Sequence, residues 1–210
     1  AVAALLMRYF ANLIHAGMGV LGPRFAGLDG LDDMGRLRVL MVKGLWVSTM
    51  LSCAVALSLL VLGPRFLDLW VGARFTSDEM QTASTVLVLL AVSGVLALAQ
   101  VPGDSVLYAM NRHRVFAVIM IVEAAVNLAL SILLAIHVGT IGVAIGTLVA
   151  VACVRTVAEP VYVARVVGMP VADYAYPVAM SIVVAAVVWA LWRWVLWPDD
   201  PRMGYGGLVL

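Results

Sequence analysis

The sequence predicts an all-α membrane protein, a polytopic bundle of about six transmembrane helices. Hydrophobic residues make up 64% of the 210 residues, against about 45–50% in soluble domains. Charged residues make up 12%, about half of the usual share. The apolar residues lie in long stretches, and a hydrocarbon core about 30 Å thick needs about 20 apolar helical residues. Composition and stretch length together indicate a chain that crosses a bilayer several times.

Six stretches are long enough to span the membrane. They cover residues 1–21, 39–62, 82–101, 115–136, 139–163 and 175–196. The first three are each followed by a glycine next to a proline, at Gly22-Pro23, Gly63-Pro64 and Pro102-Gly103. Such pairs are ordinary helix stops, so we expect those helices to end there. Pro160 lies near the end of the fifth stretch, where we expect a kink.

A tight helical hairpin is predicted between the fourth and fifth spans. Only His137, Val138 and Gly139 separate them, so these helices should be antiparallel neighbours. Gly142 and Gly146 follow with the small-xxx-small spacing that lets membrane helices approach closely. We therefore expect Gly139, Gly142 and Gly146 to serve helix packing.

The basic residues near the span ends predict the orientation in the membrane, because cytoplasmic connections carry an excess of Lys and Arg. Eight Lys or Arg residues lie in the first, third and fifth connections. Four lie in the second connection, the fourth connection and the tail. Arg155 is counted among the eight. The first, third and fifth connections are therefore predicted to be cytoplasmic.

Several function classes are excluded or unsupported. The formal net charge of +1 gives no basic surface of the kind that a nucleic-acid partner needs. The sequence has no phosphate-binding GxxxxGK[ST] loop, no HExxH and no GxSxG. The three histidines are scattered, and Cys53 and Cys153 lie in apolar runs as small hydrophobes. We expect no enzyme, no cofactor and no metal site.

The first span carries a stripe of polar residues on one helical face. Arg8, Asn12 and His15 recur at i, i+4 and i+7. One interpretation is that Arg8 extends its long side chain to the membrane interface. The other is that the stripe faces a water-filled cavity and binds the substrate, with Arg8 contacting an anionic group. An arginine suits phosphate because its planar fork gives two parallel hydrogen bonds.

A second polar stripe lies in the fourth span. Glu123, Asn127 and Ser131 follow one another at i, i+4 and i+8 in an otherwise apolar stretch. Hydrogen bonds to a neighbouring helix are one explanation. A proton or cation relay at Glu123, or an ion pair between Glu123 and a cavity arginine, are the others. We call these three residues the polar seam.

Short motifs along most of the chain resemble a known family of transporters. Residues 107–114 (LYAMNRHR) resemble the l-x-a-x-g-r turn of polysaccharide flippases, and residues 123–131 (EAAVNLALS) are similar to their E-a-x-x-N-l-x-L-s. Residues 138–147 (VGTIGVAIGT) resemble x-G-x-x-G-a-a-i-g-t, and residues 69–75 (LWVGARF) resemble an outer loop, l-x-x-G-x-x-F. These are the O-antigen-type, lipid-linked oligosaccharide flippases of the MATE-like transporter superfamily.

The resemblance implies a half-transporter. Members of that family have two similar bundles around a cavity, and this chain resembles the C-terminal bundle, residues 1–197. Residues 198–210 would be a tail that leads into a further, truncated helix. The implied partners are the bilayer, a lipid-linked oligosaccharide and a missing N-terminal bundle, in the bacterial inner membrane. The implied activity is translocation of an undecaprenyl-pyrophosphate-linked glycan.

Two rival functions stay open from the sequence. A cation-coupled multidrug antiporter would favour acidic cavity residues, so Glu123 supports it and Arg8 opposes it. A non-transporting scaffold for glycan-synthesis enzymes would be favoured by a bundle interior without buried charges.

Overall fold

The computed structural model describes residues 2–71 and 76–196, and within these ranges it consists of helices and short turns. The helices are α1 (Val2–Met18), α2 (Leu21–Gly30), α3 (Met34–Val71), α4 (Ser77–Ala99), α5 (Val101–Ala109), α6 (His113–Val138), α7 (Thr140–Cys153), α8 (Glu159–Val167) and α9 (Val171–Leu196). A π-helical turn, Val154–Ala158, joins α7 to α8. The predicted tail, residues 198–210, and residues 72–75 of the outer-loop motif lie outside the described residues.

Five helical stretches in the described ranges are long and apolar enough to cross a membrane. They are Met34–Trp70, Ser77–Ala109, His113–Val138, Thr140–Val167 and Val171–Leu191. They overlap the second to the sixth predicted spans, and the helical structure confirms the prediction of an all-α polytopic bundle. The first predicted span corresponds to α1, which is described over 17 residues and is not among the five.

One of the three predicted helix stops is wrong, because Gly63 and Pro64 lie inside α3, which continues to Val71. At the first stop the chain does change helix: α1 ends at Met18, and Gly22-Pro23 lies in the first turn of α2. A proline in a first helical turn has no intrahelical hydrogen bond to lose, and membrane helices tolerate an interior proline when neighbouring helices pack around it. Gly63 is buried against α4, where a Cβ would lie 2.5 Å from Leu87 Cδ2. Packing therefore overrides the local stop signal in α3.

The third predicted stop does interrupt a helix. α4 ends at Ala99 and α5 begins at Val101, with Gln100 between them and Pro102 in the first turn of α5. Pro102 suits this place because its missing N–H has no partner in a first turn. The interruption ends α4 and starts a new helix, α5, within the stretch Ser77–Ala109.

The predicted hairpin between α6 and α7 is confirmed. Gly139 turns the chain with φ of 67°, in the region that favours glycine. A Cβ on Gly142 would overlap the carbonyl oxygen of Leu134, and one on Gly146 would lie 2.8 Å from the backbone nitrogen of Ser131. This register is that of antiparallel neighbours whose backbones approach closely.

The irregularity expected near Pro160 is a π-helical turn just before it. Val154–Ala158 widens the helix, and Pro160 follows in the first turn of α8. A proline cannot donate to the carbonyl four residues earlier, and the wide turn provides the local adjustment that it requires. Arg155 lies in this turn and is 8% exposed, so counting it as a connecting-loop charge was wrong. The predicted orientation then depends on the remaining basic residues.

Apolar side chains both fill the interior of the bundle and cover part of its outer surface. One core cluster joins α2, α3, α5, α8 and α9 around Phe25 and Tyr174, and a second joins α3 to α4 around Leu67 and Leu87. By contrast, α6 presents large exposed apolar side chains, such as Ile121 at 68%. Such an exterior is expected for a helix that faces hydrocarbon.

Candidate functional site

A buried arginine and three carboxylates meet inside the bundle. Arg155 Nε donates to Glu123 Oε2 at 2.9 Å, and Arg155 Nη1 donates to Glu159 Oε2 at 2.9 Å. The same Nη1 lies 3.1 and 3.2 Å from the two carboxylate oxygens of Asp104. We call these four residues the Arg155 cluster. It links α5, α6, the π-helical turn and α8.

Local structure explains why these side chains converge. Asp104 lies in the first turn of α5, which exists because the helix breaks at Gln100; a carboxylate is favoured at such a helix start. Arg155 and Glu159 are four residues apart on one helix face. Glu123 reaches them from the middle of α6, a helix that the short turn at Gly139 sets against α7. The cluster thus depends on the proline break, the π-helical turn and the hairpin.

The remaining edge of the Arg155 guanidinium is also occupied. Its Nη2 lies 3.0 Å from Met120 Sδ, and the Phe116 ring centroid is 6.0 Å from the guanidinium carbon. Each nitrogen of Arg155 therefore has a partner within the protein. Its Nε and Nη1 donate to carboxylates, and Nη2 has the weak acceptor sulfur of Met120 beside it.

A second polar contact borders the cluster. The hydroxyl of Tyr174, on α9, donates to Gln100 Oε1 at 2.6 Å, and both side chains are buried. Tyr174 lies so close to Gly103 that a Cβ there would overlap its hydroxyl oxygen. The glycine next to Pro102 thereby makes room for the contact that ties α9 to the α4–α5 break.

The polar seam divides into two parts. Glu123 pairs with a buried arginine, Arg155 in the π-helical turn. The predicted alternative of an ion pair with an arginine of the substrate cavity stays a prediction. Farther along α6, the Ser131 hydroxyl lies 3.1 Å from Asn127 Oδ1 and 3.4 Å from the carbonyl oxygen of Val143 on α7. This second part is a hydrogen-bonded contact between α6 and α7, at the height where Gly146 approaches Ser131.

The stripe on α1 remains largely outside this arrangement. Arg8, Asn12 and His15 are all exposed on the described surface. Whether Arg8 faces a cavity that a second bundle would complete stays a prediction.

Sequence reasoning missed four members of this site. Arg155 was assigned to a connection, and Asp104, Glu159 and Tyr174 were not singled out. Arg155 and Glu159 could have been recognised from the sequence, since two opposite charges four residues apart lie within the fifth predicted span. Asp104 carries none, because it follows a predicted helix stop and looks like a loop residue.

Comparison with known families decides the class of protein. The family model described as lipid II flippase MurJ matches residues 10–197. The chain belongs to the MurJ family. Comparisons with curated proteins and with solved structures gave no match.

Membership in the MurJ family confirms the coarser part of the sequence prediction. The chain belongs with lipid-linked flippases of the MATE-like superfamily, and a transporter family agrees with the expectation of no enzymatic activity. The finer prediction, the O-antigen type, is not what the match supports, because the description of the MurJ family specifies lipid II. The short motifs were too loose to separate two branches of one superfamily.

Proposed function

We propose that this bundle is one half of a flippase that carries a lipid-linked glycan precursor from the cytoplasmic to the outer leaflet of a bacterial inner membrane. The observation that carries the proposal is the MurJ family match, which extends over nearly all of the described helices. Alternating access requires two halves that rock against each other around a site near the midplane. A second, similar bundle would supply the other wall of the cavity.

The substrate class follows from chemistry that two candidates share. Lipid II and the lipid-linked oligosaccharide predicted from the sequence both contain a polyprenyl chain, a pyrophosphate and a sugar head group. The transporter therefore needs a cationic contact for the pyrophosphate, a polar path for the sugar and an opening to lipid for the chain. The match favours lipid II, and the sequence motifs favour the oligosaccharide.

Arg8 is the candidate for the pyrophosphate contact within this chain. Arg155 is buried and bound by carboxylates, whereas Arg8 is exposed at the head of the α1 stripe with Asn12 and His15. A planar guanidinium can bind two phosphate oxygens at once, which a lysine cannot do. The stripe would then form the polar wall that faces the second bundle.

A complementation experiment tests this function. Arg8→Ala and Arg8→Lys are introduced into the complete transporter in cells that lack the native protein, and membrane insertion is measured in parallel. We expect Arg8→Ala to abolish precursor export and Arg8→Lys to retain part of it, with insertion unchanged. The matched control is Arg24→Ala, which removes another exposed arginine and should export normally. Normal export by Arg8→Ala would remove Arg8 from the substrate path.

The phenotype of the same cells distinguishes the two candidate substrates. Loss of lipid II export stops cell-wall synthesis and lyses the cells, whereas loss of an oligosaccharide carrier removes a surface glycan from cells that keep growing. Lysis on depletion supports lipid II. A viable strain without surface glycan supports the oligosaccharide.

A cation-coupled antiporter remains the second candidate, because carboxylates outnumber cations in the Arg155 cluster by three to one. If cells export a cationic dye and the Glu123→Gln variant does not, the antiporter would be favoured. If the cells accumulate the dye equally with and without the protein, the antiporter would be excluded.

A scaffold function is not favoured. It predicts a bundle interior without buried charges, whereas Arg155 and Glu159 are buried.

A further inference from the structure

The Arg155 cluster contains more acidic groups than its one arginine can balance. Three carboxyl groups surround a single guanidinium, and Glu159 is completely buried. If all three were ionised, the cluster would carry an excess of two negative charges in the interior of the bundle. Isolated charges in such surroundings are very costly, and a buried acid usually becomes neutral instead.

One atom in the cluster is left without a partner. Glu159 Oε2 accepts from Arg155, while Glu159 Oε1 is buried and has no hydrogen-bond partner among the described residues. Both oxygens of Asp104 already accept from Arg155. A fully buried carboxylate oxygen with no donor is an unstable arrangement.

The two unbalanced acids also share one donor. Arg155 Nη1 lies 2.9 Å from Glu159 Oε2 and 3.1 and 3.2 Å from the two carboxylate oxygens of Asp104. An ionised carboxyl group can only accept, so two carboxylates around one nitrogen repel each other and form no hydrogen bond between them. A carboxylic acid next to a carboxylate is attractive, because the acid donates its proton.

We propose that the Arg155 cluster is a proton-binding site, in which Asp104 and Glu159 share one proton taken up from water. The proton belongs to Glu159 Oε1, the oxygen that otherwise has no partner, and Asp104 is the acceptor. One proton satisfies the orphaned atom, removes the repulsion and lowers the excess charge from two to one. Glu123 keeps its own bond to Arg155 Nε.

Six helical elements contribute a charged or titratable group to the electrostatic surroundings of this pair. The groups are His15 on α1, Asp104 on α5, Glu123 on α6, Arg155 in the π-helical turn, Glu159 on α8 and Tyr174 on α9. His15 is exposed and Tyr174 donates to Gln100, so neither of them occupies the free oxygen of Glu159. The proton therefore lies at the junction of α5 and α8.

A metal cation is a poor alternative occupant. No group of three or more His, Cys, Asp and Glu side chains within residues 2–71 and 76–196 is arranged to hold a metal ion. The guanidinium of Arg155 already fills the centre that a cation would need. Asp104 and Glu159 both accept from Arg155 Nη1, so a proton is the occupant that lowers their charge without displacing the arginine.

Infrared spectroscopy of the purified protein in a bilayer tests the proposal without any transport measurement, so its outcome is independent of the proposed function. A protonated carboxyl group has a C=O stretching band that a carboxylate lacks, and the band shifts when the proton exchanges for deuterium. We expect the wild-type protein to show this band at neutral pH and to lose it as the pH is raised. Absence of the band at neutral pH would overturn the proposal.

Two neutral, nearly isosteric variants assign the band. Glu159→Gln and Asp104→Asn should each abolish it, because each leaves the other acid with no partner that shares a proton. The matched control, Asp78→Asn, neutralises an exposed carboxylate at the start of α4 and should leave the band unchanged. A band that survives in both cluster variants would assign the proton elsewhere and overturn the proposal.

A sodium titration separates the proton from a cation. At constant pH and ionic strength, replacing choline with sodium should not change the wild-type band or the thermal unfolding temperature. A sodium-dependent loss of the band, absent from Glu159→Gln, would show that the cluster binds the cation and that the proton assignment is wrong.

Discussion

Removing the guanidinium of Arg155 should be among the most damaging single changes in this bundle. Methionine is the informative replacement, because it keeps an unbranched apolar side chain against Phe116 while it removes every hydrogen-bond donor. Arg155→Met leaves Asp104, Glu123 and Glu159 without their common cation. The perturbation therefore tests the charge arrangement and leaves most of the packing in place.

The size of the loss follows from the burial of the site. Arg155 is 8% exposed and Glu159 is not exposed at all, so water cannot replace the missing contacts. Taking one partner out of a buried ion pair costs about 3–5 kcal/mol of unfolding free energy. For a chain of this length, each kcal/mol lowers Tm by about 2–4 °C, so Tm should fall by roughly 6–20 °C.

Thermal unfolding in detergent, followed by tryptophan fluorescence, measures this loss. The matched control is Arg165→Met, which removes an exposed arginine from the same helical stretch and should change the unfolding free energy by less than about 0.5 kcal/mol. In the double variant Arg155→Met/Glu159→Gln, one uncompensated acid is gone, and we expect a recovery of about 0.5–3 kcal/mol. Equal effects of Arg155→Met and Arg165→Met would refute the reasoning.

Two further stability predictions come from close contacts. Gly142→Ala should destabilise the protein by about 1–3 kcal/mol because its Cβ would overlap the backbone of α6, whereas Gly27→Ala, which has open space in α2, should be neutral or slightly stabilising. Tyr174→Phe should cost about 1–3 kcal/mol because it leaves the buried amide oxygen of Gln100 without its donor, and Tyr176→Phe, which is 62% exposed, is the control. Denaturation monitored by fluorescence checks both pairs, and equal losses within either pair would contradict the assigned contact.

The helices could be predicted largely from the sequence because apolar length is a strong signal in a membrane protein. The hairpin at Gly139 was equally readable, since a three-residue connection allows few geometries. The C-terminal end of α3 could not be predicted in this way, because Gly63-Pro64 stops a helix only where no neighbouring helix packs against it. A local rule of this kind fails whenever a tertiary contact, here with Leu87, outweighs it.

The candidate site was predicted only in part. Glu123 was recognised because a carboxylate in an apolar stretch requires a partner, and the structure supplies Arg155. The partner itself was missed, because the count of basic residues treated it as a loop charge. Asp104 was beyond reach, since its position inside the bundle depends on the break at Gln100 and on the way α5 packs against α8.

The leaflet distribution of the lipid-linked precursor tests the central claim most directly. Cells depleted of the protein are treated with an impermeant enzyme that cleaves polyprenyl-pyrophosphate glycans only at the outer face of the inner membrane. The flippase account predicts that the cleavable fraction falls on depletion while the total precursor pool rises. A cleavable fraction that stays unchanged after depletion would contradict it.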